Sequence, residues 1–321
     1  GGGSIGGELC IEILKNNPKK IFILEMSEIN LFNIINKIKE KKIYNNKIVK
    51  PILGDCNDKF FLESYFQNII IDDVYHAAAY KHVSFGEENQ YSMIKNNVFG
   101  TKTIVDFSTA KKVKNFVFIS SDKAVNPKSI LGFTKKFGEK IVCDQLIKNK
   151  NKIKTNFTIV RFGNVIGSSG SVIPIFLNQI RQNKPLTVTH KKVKRYFMSI
   201  SEAVQLVINA SYLNKKGIKI YALNMGKQIY IKTIAQRIIR LSGQTFKDSK
   251  NSKGDVPLKI IGLKKGEKLS EEITLGNNLT KTNHPMIMEC AEKLNTKKKD
   301  RYLKLIENTL KNKSINKNTF N

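Results

Sequence analysis

The sequence predicts a doubly wound parallel α/β sheet with a smaller second lobe. Two observations carry this. Short apolar runs alternate with amphipathic helical stretches over the first half of the chain, which is how a parallel sheet covered by helices reads. A length of 321 residues, 40% of them hydrophobic, suits one such domain plus an appendage. No apolar run approaches the ~20 residues of a membrane helix, so the chain as given is expected to be free of membrane contact and cytoplasmic, with membrane association the alternative should an upstream region carry membrane segments.

Taken in order, residues 1–17 read as a glycine-rich turn opening a helix, with Leu9, Cys10, Ile13 and Leu14 as its apolar stripe and Pro18 as its stop. Ile21 to Leu24 is a continuous apolar run, the pattern of a buried parallel strand, and it ends in Glu25. A helix over 31–41, a strand ending at Gly54-Asp55 and a strand within 69–78 follow. A helix over 91–112 leads to the strand Phe116–Ile119, and a helix over 131–149 to the strand Phe157–Val160. Beyond Gly167 the pattern loosens into helices near 173–183, 201–213 and 231–242. These divide the chain into a nucleotide-binding domain over 1–166 with a returning strand near 219–226, a substrate lobe over 167–293, and a lysine-rich helix and tail over 294–321.

The formal net charge is +30, from 56 basic against 26 acidic residues. Arginine occurs only at 161, 181, 195, 237, 240 and 301; the remaining basic residues are lysines dispersed along the chain. That is a solvated lysine-rich surface rather than a focused basic footprint, so no nucleic-acid partner is expected. The cysteines, at 10, 56, 143 and 290, form no C-x-x-C pair, and the four histidines complete no ligand pattern, so no metal is expected.

Two segments carry chemistry. Gly3-Ser4-Ile5-Gly6 opens a helix, where backbone N–H groups and the helix dipole favour a pyrophosphate, and Glu25 ends the next strand, where a carboxylate can accept from ribose hydroxyls. The strand that ordinarily precedes such a turn, and the first glycine of the fingerprint, are missing from this sequence, so the sheet is expected to lack its central strand. The second segment is Ser121-Asp122-Lys123, at the carboxyl end of a strand, where α/β sheets bind ligands.

The stretch from Ser120 to Lys136, SSDKAVNPKSILGFTKK, resembles the signature of the polysaccharide-biosynthesis UDP-N-acetylglucosamine 4,6-dehydratases, of the extended short-chain dehydrogenase/reductase superfamily. So do GGSIGGEL at 2–9, YHAAAYKHV at 75–83, NNVFGT at 96–101, RFGNVIGSSGSVIP at 161–174, RYFM at 195–198 and GEKLSEE at 266–272, in the family's order and over nearly the whole chain. The resemblance implies a Rossmann-like fold, bound NADP or NAD, a UDP-sugar substrate and a homo-oligomer. It implies that Asp122 protonates the leaving C6 hydroxyl, that Lys123 takes the C5 proton, that Ser121 bonds near the C4 hydroxyl, and that Lys135 grips the nicotinamide ribose. Leu131 holds the position of the family's Tyr or Met and can neither ionise nor hydrogen-bond. The resemblance also assigns Gly3, Ser4, Ile5, Gly6, Glu25, Asp55, Ala77, Ala78, Lys81 and Asn97 to the cofactor, and Asn164, Ser171, Arg195 and Lys264 to the nucleotide diphosphate. A nucleotide-sugar 4-epimerase, or a truncated and impaired remnant, are the alternatives.

Overall fold

The structure is a computed structural model that describes residues 1–148, 154–248, 251–276 and 278–292. The tail read over 294–321 lies outside the described residues. In the first half, helix α1 (Ser4–Leu14) precedes strand β1 (Ile21–Glu25), then α2 (Glu28–Glu40), β2 (Val49–Leu53), α3 (Lys59–Tyr65) and β3 (Asp73–His76). Helices α4 (Val83–Glu88), α5 (Gln90–Ile94) and α6 (Gly100–Ala110) lead to β4 (Asn115–Ile119), and α7 (Ile130–Lys148) leads to β5 (Asn156–Arg161).

The second half alternates less regularly. Strand β6 (Asn164–Ile166), α8 (Val172–Arg181), β7 (Leu186–Val188), β8 (Lys194–Arg195) and β9 (Phe197–Ser199) precede α9 (Ile200–Leu213). Then come β10 (Ile218–Leu223), β11 (Ile229–Tyr230), α10 (Ile231–Leu241), β12 (Phe246–Lys247), β13 (Val256–Ile260), β14 (Leu279–Lys281) and β15 (Ile287–Cys290).

The main sheet runs β14-β15-β10-β5-β4-β3. Strands β3, β4, β5 and β10 are parallel, and β15 and β14 close the edge antiparallel. Residues 279–290, counted with the substrate lobe in the sequence reading, thus extend the main sheet; their apolar runs are too short to declare it. The rings of Phe116 and Phe157 meet at 5.4 Å inside the fully buried core. Removing either ring would cost on the order of 3–5 kcal/mol.

Among the described residues strands β1 and β2 pair only with each other, in parallel register from Ile21 opposite Val49 to Glu25 opposite Leu53. No ladder joins β1 to β3, so the sheet is interrupted where the sequence led one to expect a missing central strand. A separate core of Ile11, Ile23, Ile34, Ile38 and Val49 holds this outlying α1–β1–α2–β2 unit together.

Between α5 and α6 the chain makes a π turn over Lys95–Phe99. The extra residue turns both Asn96 and Asn97 inward, where they are buried. Such bulges re-aim side chains at functional sites.

Candidate active site at the carboxyl edge of the sheet

A cavity of about 2260 Å³ runs the length of the gap between β1 and β3 and opens at the carboxyl ends of β1, β3, β4 and β5. One side of it is a cradle. No side chain caps the N-terminus of α1, and a Cβ at Gly3 would meet nothing within 4 Å, so the backbone there faces open space. Gly2 and Gly6 are needed for a different reason. A Cβ at Gly2 would lie 2.5 Å from the Asn30 carbonyl oxygen, and one at Gly6 would lie 2.6 Å from that of Gly1. This close packing sets the N–H groups of the first turn against the cavity, where they suit an anion.

Ser4 and Ile5 stand on the same wall, and Ser4 Oγ accepts from Ser169 N–H at 3.3 Å. Glu25 holds its carboxylate at the end of β1 through the N–H groups of Gly2 (2.8 Å) and Ser27 (3.0 Å). Asp55, Ala77, Ala78 and Lys81 line the wall too. One Asp55 oxygen already accepts from the Asn57 N–H and amide. Burial holds the Lys81 amine below its ordinary range.

The other side carries the polar cluster. β4 ends at Ile119, and Asp122 begins a single 3-10 turn. Asp122 is fully buried. Its Oδ1 accepts from Ser121 Oγ (2.9 Å) and Lys123 Nζ (2.9 Å), while Oδ2 has no hydrogen-bond partner among the described residues. Lys123 Nζ also donates to Asn164 Oδ1 at 3.2 Å. Gly163 makes room: a Cβ there would meet Asp122 Oδ2 and Tyr196 Cβ, each at 2.9 Å. Lys123, Ser121 and Asn164 face the cavity; Asp122 lies one side chain beneath it.

Leu131 and Lys135, one turn apart on α7, complete this wall. Leu131 is 4% exposed and packs with the main core. Lys135 donates to the Ile119 carbonyl at 2.8 Å with its ammonium 5.0 Å from the centre of the Phe118 ring. Burial pushes its amine down to about 8, against the opposing charge of Glu139. Ser171 lines the cavity at the start of α8, its buried Oγ without a hydrogen-bond partner among the described residues.

Residues 1–292 match the family described as polysaccharide biosynthesis protein. The chain belongs to the polysaccharide biosynthesis protein family. It is 39% identical over 304 residues, 94% of its length, to the capsular polysaccharide biosynthesis protein CapD of Staphylococcus aureus, but spans only 48% of that relative. It is 31% identical over 276 residues to the inverting UDP-N-acetylglucosamine 4,6-dehydratase of Campylobacter jejuni, covering 84% of this chain and 74% of that one. Among solved structures it resembles Pen from Bacillus thuringiensis, with a TM-score of 0.78 and 31% identity over 92% of this chain and 86% of that one. The UDP-glucuronic acid 4-epimerase of Bacillus cereus, solved with UDP-glucuronic acid and NAD, shares the fold at a TM-score of 0.68 and 21% identity, over 84% of this chain and 87% of that one. The Rossmann-like architecture of the extended short-chain dehydrogenase/reductases is thus that of this family member.

Four expected site residues sit differently from the sequence reading. Asn97 does not reach the cavity: its amide clamps the Tyr80 backbone N–H (2.8 Å) and carbonyl (2.9 Å), and the neighbouring Asn96 takes the wall position. Arg195 lines the cavity, but its guanidinium donates to the carbonyls of Lys194, Lys268 and Leu269 and to Glu267 Oε1. Lys264 is exposed and off the wall; Glu267, three residues on, faces the cavity instead. Asp122 is deeper than a wall residue, because Gly163 lets it sink under Lys123.

The sequence reading passed over Ser120, Glu139, Arg161 and Glu292. Ser120 Oγ donates to Glu139 Oε1 at 2.7 Å. Arg161, with no exposed surface, forks onto Glu139 (2.7 and 2.8 Å) and again onto Glu292 (2.7 and 3.0 Å). The one available signal was the position of Glu139, one turn after Lys135 on the same helix face.

Proposed function

We propose that this chain is the catalytic domain of a nucleotide-sugar 4,6-dehydratase acting on UDP-N-acetylglucosamine or a close relative, for surface polysaccharide synthesis, with NAD or NADP as its resident cofactor. The observation that carries the reading is the Ser121–Asp122–Lys123–Asn164 cluster, hydrogen-bonded together at the sheet edge across the same cavity from the glycine cradle. The family membership and the Campylobacter relative support it.

The cradle fits the dinucleotide. The open face at Gly3 and the uncapped start of α1 would hold the pyrophosphate, the Glu25 carboxylate would accept from a ribose hydroxyl, and Lys135 would hold the second ribose. When bound, the nicotinamide accepts and returns the hydride. The protein's own groups move the protons. Ser121, already donating to Asp122, is the wall hydroxyl able to relay the C4 hydroxyl proton, a task Leu131 cannot perform. Lys123 would take the C5 proton once C4 is oxidised and, with the hydride returned to C6, would give C5 a proton that has exchanged with solvent, while Asn164 holds its amine in place. Asp122 protonates the departing C6 hydroxyl. It lies one side chain below the wall, and catalytic hydrogen bonds tighten when substrate binds.

Arg195 serves here as a staple that ties Lys268 and Leu269 to β8, which leaves Ser171 and the start of α8 to meet the diphosphate. A 4-epimerase is the second reading, favoured by 31% identity over 285 residues to the UDP-glucose 4-epimerase of Rickettsia bellii. Epimerisation, however, needs no acid at C6, and so gives no use to a buried Asp122.

Incubating the chain, supplied with NAD or NADP, with UDP-N-acetylglucosamine separates the two. Loss of one water by mass spectrometry supports the dehydratase. A product of unchanged mass with inverted C4 supports the epimerase and refutes the proposal.

A further inference from the structure

We propose that Lys268 is a positioning residue for the turn that carries Asp122 and Lys123: reaching in from the segment 264–272, it holds the Val125 carbonyl and so fixes how those two side chains sit at the cavity. This deepens the proposed function and rests on its assignment of proton transfer to Asp122 and Lys123.

The turn is anchored first to the sheet. The Asp122 N–H donates to the Phe162 carbonyl at 3.1 Å. Within the turn, the Ala124 N–H donates to the Ser121 carbonyl and the Val125 N–H to that of Asp122, each at 3.1 Å. Two further ties come from far along the chain. Lys268 Nζ donates to the Val125 carbonyl at 2.8 Å, across 143 residues. Asn126 Nδ2 donates to Glu272 Oε2 at 2.7 Å. Val125 thus takes part in both sets, since its N–H closes the turn on Asp122 and its carbonyl accepts from Lys268.

The segment that supplies these ties is itself fastened to the second lobe. The Arg195 guanidinium donates to the carbonyls of Lys268 (2.8 Å) and Leu269 (3.3 Å), and Gln228 Nε2 donates to that of Glu271 (2.5 Å). Glu267, one residue before Lys268, faces the cavity and accepts from Thr189 Oγ1 at 2.8 Å. One residue of the segment therefore stands in the cavity wall while the next reaches the turn. This gives the second lobe a direct hold on the position of Asp122 and Lys123.

Stability alone gives no reason for an ammonium at this place. Lys268 and its ion-pair partner Glu271, 3.4 Å apart, have side chains only 10% and 4% exposed. Taking both charges out of water offsets most of what their attraction returns, so such a pair gains little over apolar packing of the same volume. A directed N–H bond to a main-chain carbonyl is what apolar packing cannot supply.

The test compares wild type with Lys268→Met/Glu271→Leu, which removes both charges and leaves neither buried alone, and with Lys268→Arg, which keeps a long cationic donor. Loss of water from UDP-N-acetylglucosamine is followed by mass spectrometry over a range of substrate concentrations, beside thermal melting and NADH binding by fluorescence. The double variant should melt close to wild type and bind NADH as wild type does, yet lose at least about tenfold in kcat with KM nearly unchanged. Lys268→Arg should recover most of that loss. Should the double variant fail to fold, Lys268→Gln, uncharged and one bond shorter, decides instead by the same split.

Undiminished turnover, a kcat lost only in step with the melting temperature, or a KM that rises as far as kcat falls would each overturn the proposal. If wild type releases no water from the sugar nucleotide, the proposed function fails instead, and amide exchange then reads the tie without substrate. The Ala124 and Val125 N–H groups should exchange faster in the double variant, with those of β4 unchanged. Equal exchange in the turn would remove Lys268 from this role.

Discussion

The two walls of the cavity are built on unequal foundations. The catalytic wall, at the ends of β4 and β5, stands on a continuous sheet whose central strands pair on both edges and whose side chains are almost wholly buried. The cofactor cradle stands on the α1–β1–α2–β2 unit, whose two strands pair only with each other and which keeps a core of its own. The proposed catalytic side thus sits on strands that pair on both edges, and the proposed cofactor side on two strands whose partners among the described residues are each other.

The largest effect should come from breaking the strong side. Arg161→Met removes the guanidinium from between Glu139 and Glu292 and strands two buried carboxylates. It should destabilise the main sheet by about 3–5 kcal/mol, read by urea unfolding. A next test uses His76, which burial and the charge of Lys135 push down to about 3. The unfolded chain takes up that proton near pH 6.5 and the folded one does not, so stability falls as pH drops from about 6.5 to about 3, by on the order of 4 kcal/mol. His76→Asn should flatten that acid limb if the residue is otherwise accommodated, and an unchanged limb would remove His76 from the account.

Smaller effects sharpen the contrast. Gly163→Ala drives a methyl group against Asp122 Oδ2 and Tyr196 Cβ. It should cost about 1–3 kcal/mol and cut turnover more than dinucleotide affinity. On the cradle, Gly2→Ala collides with the Asn30 backbone, whereas Gly3→Ala meets nothing. Gly3→Ala should therefore change stability by less than about 1 kcal/mol while weakening NADH binding, because its methyl group occupies the space at the start of α1. Amide exchange offers a comparison without mutation: β1 and β2 should exchange before β4 and β5. Equal protection would mean the two foundations are not unequal after all.

Much of this was legible in the sequence because parallel sheets announce themselves through continuous apolar runs. Ile21–Leu24 and Phe116–Ile119 each became a strand at nearly the expected bounds. What sequence could not show was depth and pairing. Asp122 looks like a turn residue and lies fully buried because Gly163, 41 positions later, leaves it space. Arg161 pairs with Glu292 across 131 residues, a separation no local pattern spans. The resemblance assigned Arg195 to the diphosphate, whereas its guanidinium donates to three carbonyls and to Glu267, partners no local pattern announces. The short pairings β6 with β9, β8 with β11 and β7 with β13 carry too few residues to show a period.

The central claim is that Lys123 and Asp122 move protons on a bound sugar. The most direct measurement follows UDP-N-acetylglucosamine by proton NMR in deuterated buffer, with wild type and with Lys123→Met. The account predicts that wild type places deuterium at C5 of the product, and that Lys123→Met abolishes the exchange while NADH still binds. Product formed without deuterium at C5, or undiminished exchange in the variant, would contradict it.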